Sequence, residues 1–188
     1  MITAHIESFE ENLEYLKPLL PIHYKELALN QDKVPLSPQF DKYVATEKQG
    51  GLIFVTLRSA GQMVGYFIGF IAPGLHYSTC LTCQMDIFYV LPEHRGGGAG
   101  FQLFKFVEQQ LKKRGVQRMF VGSKMHKDAS WLFEKLNYTP VETYDSAWVG
   151  AYSRSSSGGW GGRGACGTVR EAEAAGIFQG IASLGVPY

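Results

Sequence analysis

The chain has little of what would tie it to metals, nucleic acids or membranes. It holds three cysteines in 188 residues. A full disulfide framework is therefore excluded, and a reducing, cytoplasmic setting is the simplest reading. Cys80 and Cys83 form one tempting pair. No second pair accompanies them, and an offset of three along a strand sends the side chains to opposite faces, so no metal site is expected. Charged residues make up only 19% and the formal net charge is +1. That balance gives no support for strong non-specific binding to nucleic acid. No segment resembles a signal peptide or a membrane span, and no membrane partner is expected.

What is present is a globular composition, 45% hydrophobic over 188 residues, enough for one domain with a substantial core. Ser8 to Leu20 reads as an amphipathic helix with Phe9, Leu13, Leu16 and Leu20 on one stripe. Pro21 restarts the chain, and Ile22 to Leu29 reads as a second helix. Asn30 to Pro38 is a loop, and Gln39 to Lys48 a third helix ended by Gly50-Gly51. Leu52 to Leu57 and Met63 to Ile71 read as strands joined by a hairpin at Ser59-Ala-Gly-Gln62, and Leu81 to Val90 as a third strand. After a further helix come a short strand from Met119 to Val121, a helix from Ala129 to Leu136 and a final strand from Tyr138 to Trp148. The expected fold is a mixed, mostly antiparallel α/β sheet with helices on both faces. The expected domain spans residues 1–150. Residues 151–188 read as a Gly/Ser-rich tail, with Thr168 to Leu184 as a short helix. The tail leaves three uses open: an oligomer contact such as a homodimer, a docking segment, or disorder.

The chain is organised around Met85-Asp-Ile-Phe-Tyr-Val-Leu-Pro-Glu-His-Arg-Gly-Gly-Gly-Ala-Gly-Phe101. It reads as a buried strand, a turn, a glycine run and the start of a helix. Along that helix Leu103, Phe104, Val107 and Leu111 stack on one face. A glycine-rich turn feeding a helix start is an anion site, because the first amides lack partners and the dipole favours negative charge. A P-loop would need Lys-Ser or Lys-Thr after the glycines, and Gly100 is followed by Phe-Gln. A dinucleotide fingerprint would need an acidic residue at the end of the next strand, which closes with Val121-Gly-Ser-Lys.

What remains is Arg95-x-x-Gly98-x-Gly100 just after a strand ending Val90-Leu-Pro-Glu. This resembles the acyl-CoA signature of the GNAT acetyltransferase superfamily. A second segment is similar to that superfamily's later helix: Ala129, Leu136 and Tyr138 match its frame, and Asn137 replaces its glycine. His126 stands where an Asn often contacts CoA, and Phe133 replaces the tyrosine often assigned as general acid. The overall pattern is also similar to acetyltransferases encoded by bacteriophages, which would put the enzyme in a host cytoplasm.

The resemblance implies a set of roles. Acetyl-CoA would be held by amides of Gly96, Gly97, Gly98, Ala99, Gly100 and Phe101, with Val90 along its arm and Arg95 and His126 beside it. Asp86 would be the catalytic carboxylate, attracting a cationic amine and accepting its proton. The acceptor would meet the region of His23-Tyr24-Lys25-Glu26, with Glu26, Tyr43, His76 and Tyr77 as its contacts and Tyr66 nearby. The expected activity is transfer of an acetyl group to a primary amine of a small molecule or protein. Two alternatives stand beside it: a nucleic-acid-base modifier on the same scaffold, and a CoA-binding interaction protein that has lost catalysis.

Overall fold

A computed structural model of the chain describes residues 1–147 and residue 149. Met1–Thr139 form one compact unit. The tail expected over 151–188 lies outside the described residues.

The unit is built on a five-stranded sheet in sequential order. Its strands are β1 (Ile2–Ile6), β2 (Leu52–Ser59), β3 (Gln62–Pro73), β4 (Leu81–Val90) and β5 (Arg118–Phe120). The first four pair antiparallel and β5 joins β4 in parallel. That parallel pair requires a crossover, supplied by the long helix α4 (Ala99–Lys113). The other helices are α1 (Leu13–Leu16), α2 (Leu19–Leu27), α3 (Phe40–Lys48) and α5 (Ser130–Lys135). The mixed, mostly antiparallel sheet with helices on both faces is the fold expected from the pattern of elements.

Each face carries its own core. Leu103, Phe104, Val107 and Leu111 of α4 pack with Leu132 and Phe133 of α5 against Ile53, Val55, Phe67 and Val90. On the other face Leu16, Leu19 and Leu20 meet Phe54, Tyr66, Ile68 and Tyr89, with Tyr43 and Val44 of α3 packed beside them. Each such side chain removed from water contributes roughly 1.5–3 kcal/mol.

Three expectations are corrected. Residues 2–6, where no element is expected, form an edge strand paired antiparallel with β2. The break expected at Pro21 falls instead at Lys17-Pro18. The first helix keeps only Leu13–Leu16, and the second starts at Leu19 and runs through Pro21, which sits in its first turn where no intrahelical donor is needed. The strand expected from Tyr138 does not form among residues 138–147. Pro140 lacks a ladder donor, and Val141 and Tyr144 stand exposed rather than alternating inward.

Candidate functional site

The site grows from an irregularity in β4. Ile87 pairs with Ile68 and Met85 with Gly69, so Asp86 between them has no partner on β3. One extra residue in a strand is a β-bulge, and it re-aims a side chain that regular alternation would send elsewhere. Phe88 and Met85 face the α4 core and Ile87 faces the opposite one. Asp86 joins Ile87 on that second face, where the Tyr43 hydroxyl of α3 donates to its Oδ2 at 2.6 Å. Gly69 lies opposite the bulge, where a Cβ would come within 2.8 Å of Cys83 Sγ.

Asp86 is exposed on its strand, yet the protein groups packed around it still displace water from its carboxyl. Desolvation there raises its carboxyl pKa, and the Tyr43 hydrogen bond opposes the rise. A carboxylate that is accessible, held in place and easier to protonate than usual is suited to drawing in an ammonium group and taking a proton from it.

Beyond the bulge the sheet parts. β5 pairs with β4 only through Thr82, Cys83 and Gln84. Among the described residues no strand lies beside β4 from Met85 to Val90 on the edge toward β5, and an extended ligand can complete that edge. At the Val90 end a cleft of about 760 Å³ opens, lined by Phe88, Tyr89, Val90, the glycine loop and the turn before α5. Gly96, Gly98, Gly100 and Phe101 line it, as does His126. Gly98, at φ 80°, is the N-cap of α4, a left-handed conformation that strains any other residue. A Cβ at Gly96, Gly97 or Gly98 would meet no protein atom within 4 Å, so the loop borders free space. Ala99 is buried beneath it and anchors the helix start.

Cations surround this end. Arg95 donates from Nε to the Val90 carbonyl at 2.7 Å and from both terminal nitrogens to Glu26 of α2, at 2.6 and 2.8 Å. Its guanidinium also lies over the Tyr89 ring, and the Tyr89 hydroxyl donates to Glu26. The Arg95 hydrogen bonds hold the Glu26 carboxyl down at about 2. Arg95 therefore ties the loop to β4 and α2. Lys127 and Lys135 line the same cleft, and Asp128 fixes the turn that carries Lys127 into α5 by accepting from Ser123 Oγ and from the amide and hydroxyl of Ser130.

The predicted residues thus fall into separate groups. Val90, Arg95, Gly96, Gly98, Gly100, Phe101 and His126 come together at the cleft, and Gly97 lies on the same loop without lining it. Glu26 joins them rather than Asp86. It also borders a second open groove of about 610 Å³, shared with Tyr89 and lined by Pro21, Ile22 and Lys25. Asp86 and Tyr43 come together at the bulge. His76 and Tyr77 stand on the turn between β3 and β4, at the opposite end of β4 from Val90, and line neither cleft. Phe133 is buried among Phe88, Phe104 and Tyr138. Tyr89, Lys127, Trp131 and Lys135 were not anticipated. The spacing of Trp131 and Lys135, four apart on one helix face, was the signal for the last two.

Among the described residues no group of three or more His, Cys, Asp or Glu is placed to hold a metal ion. None of their helices is long and apolar enough to cross a membrane.

Comparison with known proteins follows the same lines. The model of the acetyltransferase (GNAT) family matches residues 15–138. No curated protein matches the chain by sequence. Solved structures share its fold. A ribosomal-protein-alanine N-acetyltransferase from Brucella melitensis biovar Abortus 2308 superposes with a TM-score of 0.64 at 17% identity, over 80% of this chain and 99% of that one. An aminoglycoside acetyltransferase from an uncultured soil metagenomic sample gives 0.62 at 17%, over 79% and 99%. A predicted acetyltransferase with acetyl-CoA from Clostridium acetobutylicum gives 0.60 at 10%, over 79% and 97%. The chain belongs to the GNAT acetyltransferase family.

Proposed function

We propose that this GNAT-family chain is an acetyl-CoA-dependent N-acetyltransferase, moving an acetyl group directly to a primary amine of a small molecule or protein. The observation that carries the reading is one line of features. It follows β4: the glycine-lined cleft takes in Phe88 to Val90, the edge toward β5 runs on without a strand beside it among the described residues, and Asp86 stands at the bulge two residues before the cleft. The acetyl-CoA of the Clostridium fold relative supports the cofactor.

The residues present suit such a ligand. Amides from Gly96 to Phe101 and the α4 dipole suit a pyrophosphate, with Lys127 and Lys135 adding charge. The β4 edge from Val90 suits an extended arm bearing amides. His126 stands beside it on the turn before α5. Bound acetyl-CoA supplies the thioester. Asp86 draws in the ammonium and takes one proton, so the neutral amine nitrogen can bond to the acetyl carbon. As the C–S bond breaks, the nitrogen's second proton passes to solvent, which returns one to the thiolate. Tyr43 holds that carboxylate in place. With Phe133 where the family often has tyrosine, the thiolate leaves without that acid. A thiol pKa near 8.5 makes this feasible.

The finer reading includes a bacteriophage-encoded enzyme at work in the host cytoplasm, supported by the motif resemblance alone. Phe133 favours one rival, a CoA-binding protein without catalysis. Acetyl transfer assayed against polyamines, amino alcohols, aminoglycosides, amino acids, peptides and DNA tests both. Release of CoA with acetylated amine supports the enzyme. Tight CoA binding with no transfer to any member supports the rival.

A further inference from the structure

Most polar side chains on the α1–α3 face have evident structural work. Glu47 receives the amides of Phe9 and Glu10, and Glu7 pairs with Arg58. His23 of α2 is different. Its ring lies flat on Tyr89, with centroids 4.6 Å apart at 11°. Its Nδ1 is 2.6 Å from the hydroxyl of Tyr66.

That short contact fixes the tautomer. Tyr66 is fully buried, and its hydroxyl has no partner besides His23 among the described residues. If Nδ1 carried the proton and donated it, the phenol O–H would be left buried with nothing to accept it, which costs about 1–3 kcal/mol. The phenol therefore donates to Nδ1, and the imidazole proton sits on Nε2. Among the described residues Nε2 has no hydrogen-bond partner, and none of their buried side-chain nitrogens or oxygens lacks one, so Nε2 keeps contact with solvent. Burial also depresses the imidazole pKa to about 4, leaving the ring neutral near pH 7.

The position of the pair matters as much as its protonation. His23 stacks on Tyr89, which lines the cofactor cleft with Glu26 and Arg95. Tyr66 belongs to the same packed face as Tyr43, whose hydroxyl holds Asp86. The pair thus stands beside the cleft, on the face of the sheet that carries the Asp86 carboxylate. A neutral N–H donor there does not repel an incoming ammonium, as an imidazolium would. It offers a fixed hydrogen bond to an oxygen on the same molecule.

We propose that His23, held by Tyr66 as the Nε2–H tautomer, selects acceptor amines that carry a hydroxyl close to the amino group. This rests on the acetyl-transfer reading given above. The acceptor class is then the amino alcohol, with the ammonium on Asp86 and the hydroxyl oxygen on His23. A plain alkylamine leaves the donor unmatched once water is displaced, and sites built to bond a hydroxyl discriminate strongly against analogues lacking it.

The test pairs primary amines that differ only by a hydroxyl on the second or third carbon. For the full chain, the ratio of kcat/KM, hydroxylated over deoxy, is compared with that of His23→Gln and of the double variant H23F/Y66F. The double variant removes both hydrogen-bond partners while keeping both rings, so neither polar group is left buried alone. The ratio should fall tenfold or more in the double variant and be partly kept by His23→Gln, which retains a donor, with acetyl-CoA affinity preserved in both. A ratio that is the same in all three proteins overturns the proposal. Nitrogen-15 NMR of His23 tests it without turnover: an Nδ1–H tautomer, or an imidazolium at pH 7, overturns it as well. Transfer to neither member of any pair, with transfer to other amines, overturns the amino-alcohol class alone. No transfer to any amine overturns the functional reading with it.

Discussion

The Tyr43 hydroxyl donates to Oδ2 of Asp86 across 2.6 Å, joining α3 to the bulge of β4. The bond couples the position of the carboxylate to its acidity, because donation to the charged form opposes the desolvation that raises its pKa.

Removing either partner separates the two effects. Asp86→Asn should lower kcat by about 10²–10⁴-fold, the usual worth of a positioned proton acceptor, and leave acetyl-CoA binding by calorimetry intact. Tyr43→Phe keeps the carboxylate but raises its pKa further. Since the carboxylate must be ionised to act, the acid limb of kcat/KM should move to higher pH while the alkaline plateau persists. An unmoved limb would mean that another group titrates.

Stability should fall in acid in two steps. In the folded protein His23 titrates near 4, below its ordinary 6.5. Between those values the unfolded chain binds a proton that the folded one does not. Its contribution is therefore full above 6.5 and lost as pH drops toward 4, with a ceiling of about 3 kcal/mol. Glu26, held at about 2 against an ordinary 4.5, contributes stability above 4.5 that is lost as pH falls toward 2. In denaturant midpoints measured across pH, His23→Gln should flatten the upper step and leave the lower. A persistent upper step would assign it elsewhere.

Two glycine substitutions should part stability from binding. Gly98→Ala forces a Cβ into the left-handed region at φ 80°, costing about 1–2 kcal/mol. Gly96 has no such conformation, and a Cβ there meets no protein atom within 4 Å. Gly96→Ala should therefore melt like the wild type. Both should weaken acetyl-CoA binding, since each methyl enters the space bordering the loop. Wild-type affinity in both would remove the glycine run as the anion site.

The end of α5 offers a test of local structure. Asn137 at φ 63° carries the chain out of the helix, with its amide bonded to the Glu134 carbonyl and that of Tyr138 to the Phe133 carbonyl. This is a Schellman cap, with Phe133 and Tyr138 in ring contact across it. Melting temperatures should rank Gly above Asn above Ala at position 137, with alanine about 1 kcal/mol below asparagine. An alanine variant as stable as the wild type would deny the cap its role.

Local signals carried far in this chain. The glycine run, the α4 stripe and the Asn137 cap each depend on residues within a turn or two, and each is visible in the string of residues. The bulge at Asp86 is not, because it exists only in the register with β3. Nor is the Glu26–Arg95 pair, whose members are 69 residues apart. Reading Glu26 as an acceptor contact followed from its place on the early helix, and nothing in the sequence says that Arg95 reaches it. His76 and Tyr77 are expected at the acceptor because a loop after Pro73-Gly74 can present side chains to a ligand. Yet that turn sits at the Leu81 end of β4, and an extended strand carries the five residues from there to Asp86 across about 17 Å. β1 was missed for a different reason. Five residues with two half-buried side chains give too short an alternation to stand out at a terminus.

The parting of β4 from β5 after Gln84 makes the open edge a measuring device. Four strand steps separate Val90 from Asp86, a span of about 13 Å at 3.3 Å per residue. Strand geometry is stiff, so on the proposed reading that length is set by the sheet and not by the occupant. An acyl carrier anchored at the glycine loop brings its thioester to Asp86 only if its arm matches the span. A shorter carrier stops before the carboxylate, and a longer one must buckle. On that reading the unpaired edge would act as a ruler, selecting carriers by length before any acceptor has bound.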